Sequence, residues 1–224
     1  MTKYKVDVYA DTICPWCYIN KRSIDAAIER HQARYPEDEF DVVWRPYMLY
    51  PNAKISGKFS THSSQPLFLS ILDRVERAGS SHGLTFSWEG RTGSTRDSHK
   101  LILLAASQDD AAPASNRTHP LISKQGAVTE AILSGALTRN QDVSSREFLI
   151  PIALAHGLAD TEEEVLRYLD GEEANARVDA EMARARGEIG VTAVPSVVVN
   201  GRYRVGGMQE PGVFGGLFER IRAR

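Results

Sequence analysis

Two cysteines make up the whole thiol content of this 224-residue chain, and both fall in one tetrapeptide, Cys14-Pro15-Trp16-Cys17. A C-x-x-C pair at a helix start suits reversible dithiol–disulfide exchange, because the ring it closes is small, strained and readily reopened by an outside thiol. A structural disulfide instead staples distant segments. The same spacing is half of a zinc site, but there is no third or fourth cysteine, and none of the six histidines (31, 62, 82, 99, 119, 156) forms an H-x(3–5)-H pair. No metal ligand set is therefore assigned. Two buried thiols can also be inert core residues. Position argues otherwise: the pair follows the alternating run Tyr4-Lys5-Val6-Asp7-Val8-Tyr9 and opens a helical pattern, the strand-to-helix joint expected of a redox C-x-x-C.

Within the pair the roles divide. At a helix N-terminus the Cys14 sulfur faces unpaired N–H groups and the positive end of the macrodipole, both of which favour thiolate. Cys14 is thus expected to be the exposed, attacking thiol, its sulfur accepting the Cys17 N–H in cap geometry. Cys17, one turn inside, is expected to be more buried and to resolve the mixed disulfide by attacking Cys14. Pro15 and Trp16, between them, are candidates for substrate contact, since a large aromatic beside a nucleophile can form a docking surface. Trp16 adds no positive charge to a thiolate, and Asp11 opposes ionisation if it points inward. The expected reduction potential therefore lies nearer about −270 mV than about −120 mV.

The elements that must hold this pair are legible as patterns. Residues 14–34 read as a helix, with Pro15 at the first helical position and Ile24, Ala27, Ile28 and His31 on one face. Residues 40–47 read as a second strand, parallel to the first across a βαβ unit. The middle is expected to be helical: loop and one helix at 64–79, then Leu101–Ala106 capped by Asp97, a loop at 107–120, and a helix at 121–138. Ser144 with Glu147 and Thr161 with Glu164 predict capping boxes for helices at 145–156 and 162–170, the first kinked by Pro151. Ala174, Val178, Met182 and Ala185 mark a further helix face. Ser196–Val199 then reads as a buried strand, Asn200-Gly201 as a hairpin turn and Arg202–Val205 as the return strand. A last helix from Pro211 is expected to bury Val213, Phe214, Leu217, Phe218 and Ile221.

Composition narrows the partners. With 42% hydrophobic and 25% charged residues and a formal net charge of −2, the chain offers no basic face for nucleic acid or an anionic membrane. Met1-Thr2-Lys3-Tyr4 leads into the first strand without an apolar signal core, and no run approaches transmembrane length. A cytoplasmic location is the expectation, with any disulfide at the pair transient.

Strand, helix, strand, then helix, strand, strand, helix, with C-x-x-C opening the first helix and Val194-Pro195 before the third strand, resembles the thioredoxin fold. It is an α/β fold, here with an all-helical insertion after the second strand, as in DsbA-like proteins. More narrowly, Asp11 to Ile19, Trp44-Arg45-Pro46, Thr95 to Ile102 and Gly206-Gly207-Met208-Gln209 resemble the FrnE-like oxidoreductases. These are related by fold to 2-hydroxychromene-2-carboxylate isomerases and kappa-class glutathione transferases. The resemblance covers nearly the whole chain, and the 107–120 loop looks longer than the family's. It divides the chain into a thioredoxin-like part (1–51), a helical insertion (52–172) and a second thioredoxin-like part (173–224).

The resemblance implies a thiol–disulfide oxidoreductase. No bound cofactor is expected, with glutathione a candidate reductant or co-substrate. The partner would be a thiol- or disulfide-containing protein or small molecule, and the oligomeric state is left open. It also implies a cis Val194–Pro195 bond beside Cys14, where the Val194 backbone can pair with an extended substrate. The insertion is expected to wall the groove at the carboxyl ends of the strands, where sites gather in such sheets. His99 falls on a family position, but a lone histidine on an apolar helix reads first as structural. Two rival functions stand beside this one. One is a glutathione-dependent isomerase or transferase of the same fold, whose members generally have serine where this chain has Cys14. The other is a redox-switched binding or holdase protein.

Overall fold

The computed structural model describes residues 1–53, 57–58, 66–111 and 123–224. Its main sheet has the order β2-β1-β5-β6, from β1 (Lys3–Ala10), β2 (Glu39–Pro46), β5 (Ser196–Val199) and β6 (Tyr203–Gly206). β1 pairs in parallel with β2, Val8 opposite Trp44, and antiparallel with β5, Val8 opposite Val197. β5 and β6 form an antiparallel hairpin joined by Asn200, Gly201 and Arg202, so the return strand starts one residue later than expected; the positive φ values of 52° and 65° at Asn200 and Gly201 let the Arg202 N–H close the turn on the Val199 carbonyl at 3.1 Å. α1 (Pro15–Arg34) crosses between the parallel strands, and α8 (Pro211–Arg222) packs beside it.

Alternation along the central strands divides the core. Val6, Val8, Val197 and Val199 face one layer with Ile24, Ile28, Phe214 and Phe218. Tyr9 and Val198 face the other, with Val178, Met182 and Ala185 of α7 (Glu172–Gly187). Val213, expected in the core, is 46% exposed because it lies off the stripe formed by Phe214, Leu217 and Phe218.

Between β2 and β5 come β3 (Gly57–Lys58), α2 (Pro66–Ser81), β4 (Arg91–Thr92), α3 (Arg96–Ala111), α4 (Lys124–Thr138), α5 (Arg146–Ala155), α6 (Glu162–Asp170) and α7. Among the described residues the insertion's regular structure is helical apart from the two-residue pair β3–β4, which is too short to show an alternating pattern. α3 is longer than expected at both ends. Asp97 lies inside its first turn rather than at the cap, and 107–111, expected as loop, continue the helix. The remainder of that loop, residues 121–122 and the start of the helix expected at 64 lie outside the described residues.

Ser144 does not cap α5. Its hydroxyl donates to Asp142 at 2.6 Å, and Ser145 takes the cap position without a side-chain bond. Pro151 lies inside α5, which continues to Ala155. The Thr161–Glu164 capping box is present.

The insertion is fastened to the sheet by polar contacts as well as by packing. The Gln125 amide of α4 bonds both the N–H (2.9 Å) and the C=O (2.8 Å) of Trp44, occupying the open edge of β2 as a strand would. On α1, Lys21 is fully buried and pairs with Asp25 at 2.7 Å and with Glu130 of α4 at 3.2 Å. Tyr18 donates to the same Glu130 at 2.6 Å. The helix that starts with the two cysteines is therefore held from the sheet side and from the insertion side.

Candidate active site

β1 ends at Ala10, three residues turn the chain, and Cys14 takes the N-cap position of α1 with extended φ and ψ of −92° and 111°. The Cys14 N–H donates to the Asp11 carbonyl at 3.1 Å, and the Cys14 carbonyl accepts from Cys17 and Tyr18 at 3.0 and 3.3 Å. Because the Cys17 amide is satisfied by that carbonyl, the expected cap bond to the Cys14 sulfur does not form. The Cys14 Sγ instead lies 3.9 Å from the Val194 carbonyl, to which its thiol donates.

Both cysteines are free thiols, and both are buried, Cys14 at 5% exposure and Cys17 at 0%. Cys14 is thus less exposed than a bare helix cap, being tucked against Val194, but the ranking of the two holds. Burial pushes the Cys17 thiol well above its ordinary range, and the adjoining Cys14 sulfur and Asp11 carboxylate push the same way, while a hydrogen bond from the Asp11 backbone opposes them. A thiolate is costly at Cys17.

The Val194–Pro195 bond is cis. Pro195 is buried and its carbonyl accepts the Gly207 N–H at 2.9 Å; Val194 is half-buried, its carbonyl turned to Cys14. Pro15 is half-buried. Trp16 is half-buried too, packed where two core clusters meet, one of them containing Tyr18, Phe86 and Leu133. Part of the Trp16 surface is therefore committed to joining α1 to the insertion, and part is left to solvent.

The structure brings in two groups that the sequence reading leaves at the margin. Asp11 is fully buried, and its carboxylate accepts the Leu49 N–H at 2.7 Å through Oδ2 and faces His99 Nε2 at 3.3 Å through Oδ1. His99, on α3, is itself 2% exposed. Next to this pair the Thr12 and Ser98 hydroxyls meet at 2.8 Å, both buried. The start of α3 thus docks on the loop that leads into Cys14, at the carboxyl end of β1. A cleft of about 510 Å³ along α1, lined by Arg22, Asp25, His82 and Glu210 among others, holds neither cysteine.

Residues 5–216 match the DsbA-like thioredoxin domain. The chain belongs to that family. The family is one of thiol–disulfide oxidoreductases on a thioredoxin-like fold, and the four-stranded sheet with its helical insertion is that fold. Among solved structures the chain is similar to a probable DsbA oxidoreductase from Streptomyces coelicolor, with a TM-score of 0.80 and 24% identity, over 99% of this chain and 91% of that one. It is similar to the cytosolic disulfide reductase DsbM from Pseudomonas aeruginosa, solved with GSH, with a TM-score of 0.63 and 16% identity, over 98% of this chain and 100% of that one. A 2-hydroxychromene-2-carboxylate isomerase aligns with a TM-score of 0.67 and 13% identity, over 97% of this chain and 95% of that one. At these identities the likeness is one of fold. No curated protein sequence matches the chain. Among the described residues no helix is long and apolar enough to cross a membrane.

Proposed function

We propose that the DsbA-like domain works as a thiol–disulfide oxidoreductase in which Cys14 attacks and Cys17 resolves, as in the FrnE-like group. The observation that carries this reading is the asymmetry of the pair. Cys14 starts α1 with its sulfur 3.9 Å from the Val194 carbonyl at the rim, while Cys17 is sealed and its thiol is pushed up by burial. The Cys14 thiolate attacks a substrate disulfide, one substrate sulfur leaves as a thiolate, and a mixed disulfide forms. Cys17 then gives up its proton and attacks the Cys14 sulfur. The Cys14–substrate bond breaks, the second substrate sulfur departs and takes up a proton, and Cys14–Cys17 is oxidised. Run backwards, the same steps oxidise a substrate.

Pro15, Trp16, Val194 and Pro195 border the attacking sulfur and would receive the substrate, with the Val194 backbone pairing to an extended segment. The insertion, taken as 52–172, chooses the substrate, since Ser98 and His99 of α3 stand against the loop before Cys14. No bound cofactor is needed for this cycle. Glutathione is the small thiol we assign as reductant, in keeping with the fold's likeness to DsbM solved with GSH. A cytoplasmic site of action suits a pair that has to be returned to the dithiol.

Insulin reduction by dithiothreitol tests the reading. Turnover by the wild type that Cys17→Ser abolishes is expected. Glutathione adduct chemistry that survives Cys17→Ser would point to an isomerase or transferase, and redox-dependent client binding without turnover would point to a holdase.

A further inference from the structure

Asp11 is engaged through its backbone carbonyl and through both carboxylate oxygens. Its carbonyl accepts the Cys14 N–H at 3.1 Å, Oδ2 accepts the Leu49 N–H at 2.7 Å and Oδ1 faces His99 at 3.3 Å. One residue therefore joins the Cys14 cap, the exit of β2 and the insertion. Its carboxylate is buried, and its charge opposes ionisation of the Cys17 thiol, adding to the larger effects of burial and of Cys14. Facing a carboxylate, the His99 Nε2 carries the proton and donates it.

We propose that His99 is a positioning residue for the resolving step: by donating to Asp11 it holds that carboxylate in place and offsets its charge beside Cys17. The inference rests on the division of roles proposed above. In that step the Cys17 S–H is lost, Cys17 Sγ bonds to Cys14 Sγ, the Cys14–substrate S–S bond breaks, and the proton ends on the departing sulfur or in water. Without the His99 donor, the Asp11 oxygen keeps its full charge next to a sulfur that must become an anion. The attacking step belongs to Cys14 and does not require Cys17 to ionise.

A chromogenic nitrobenzoate disulfide separates the two steps, since one coloured thiolate leaves on attack by Cys14 and a second on resolution by Cys17. His99→Phe should slow the second phase about tenfold, the factor of one pKa unit at Cys17, and change the first by less than about twofold. His99→Gln, whose amide reaches the position of Nε2, should restore the second phase to within about threefold of the wild type. Asp11→Asn, which removes the charge, should speed the second phase, and this arm stands even if His99→Phe does not fold. A second phase unchanged in His99→Phe and not accelerated in Asp11→Asn, or both phases slowed alike in every variant, overturns the proposal. Failure of the underlying reading looks different: Cys14→Ser would then keep the first phase.

Discussion

Taking a thiolate out of water costs far more than taking out a thiol, so burial separates two cysteines that lie one helical turn apart. Cys17 carries the full cost, with its thiol pushed well up, while Cys14 keeps a narrow exposure at the rim. Limiting iodoacetamide near neutral pH should accordingly label Cys14 ahead of Cys17 by more than about tenfold, the factor carried by each pKa unit. Peptide mapping after quenching reads the ratio, and preferential labelling of Cys17 would reverse the roles. The same residue-scale logic marks what the sequence could not display. Asp11 and His99 are 88 positions apart and meet only because α3 docks on the loop after β1. No spacing rule reaches across that distance, and a lone histidine carries no partner in its neighbourhood. The pair Cys14 and Cys17, in contrast, announces itself by spacing and by its place before a helix.

Elements were legible where their signals are local. The Thr161–Glu164 box and the Asn200-Gly201 turn each depend on residues within a few positions, and both form as read. Ser144 was misleading because Asp142 competes for its hydroxyl, a choice that depends on how the preceding loop folds. The extent of α3 was hidden for another reason: Asp109 and Asp110 are poor helix formers, yet Asp109 accepts from the start of α4 and Gln108 beside it donates to Leu158. Tertiary contacts extended the helix past its own propensity.

The packing of α4 on α5 offers a sharp test at this scale. A Cβ placed on Gly135 would collide with the Phe148 ring, so the two helices approach through a glycine. Gly135→Ala should destabilise the protein by about 1–3 kcal/mol through overpacking, despite alanine's better helix propensity. Urea denaturation reads it. A variant as stable as the wild type would mean that α5 shifts freely, and α4 would then be a loose support for Gln125 and Glu130.

At the scale of the whole molecule, a second buried polar cluster closes the end of the sheet away from the cysteines. Asp38 accepts from the Thr2 N–H at 2.7 Å and from Arg222 at 2.7 Å and pairs with His31 at 3.0 Å, joining the N-terminus, α1 and α8. Burial alone would raise its carboxyl, but the bonds from His31, Thr2 and Arg222 outweigh it and hold the group below the usual carboxylate range. A carboxyl whose folded pKa is depressed adds stability above its unfolded pKa of about 3.9, and that stability is lost as the pH falls through the folded value. Asp38→Asn should therefore be clearly less stable than the wild type at neutral pH, and the gap should narrow on acidification below about pH 4. Denaturation curves across that range check it; a gap independent of pH would assign the loss to packing instead. The two ends of the molecule are thus separable, with the Asp38 cluster at one and the two thiols at the other.

The exchange cycle itself is tested most directly by intact mass measurement of the trapped intermediate. Cys17→Ser, reduced and mixed with insulin under non-reducing conditions, should accumulate a covalent adduct of one insulin chain, mapped to Cys14, because nothing remains to resolve it. Cys14→Ser under the same conditions should carry no adduct, and the wild type should pass to the Cys14–Cys17 disulfide. An adduct on Cys17, or none on either variant while the wild type turns over, would contradict the assignment of attack to Cys14 and resolution to Cys17.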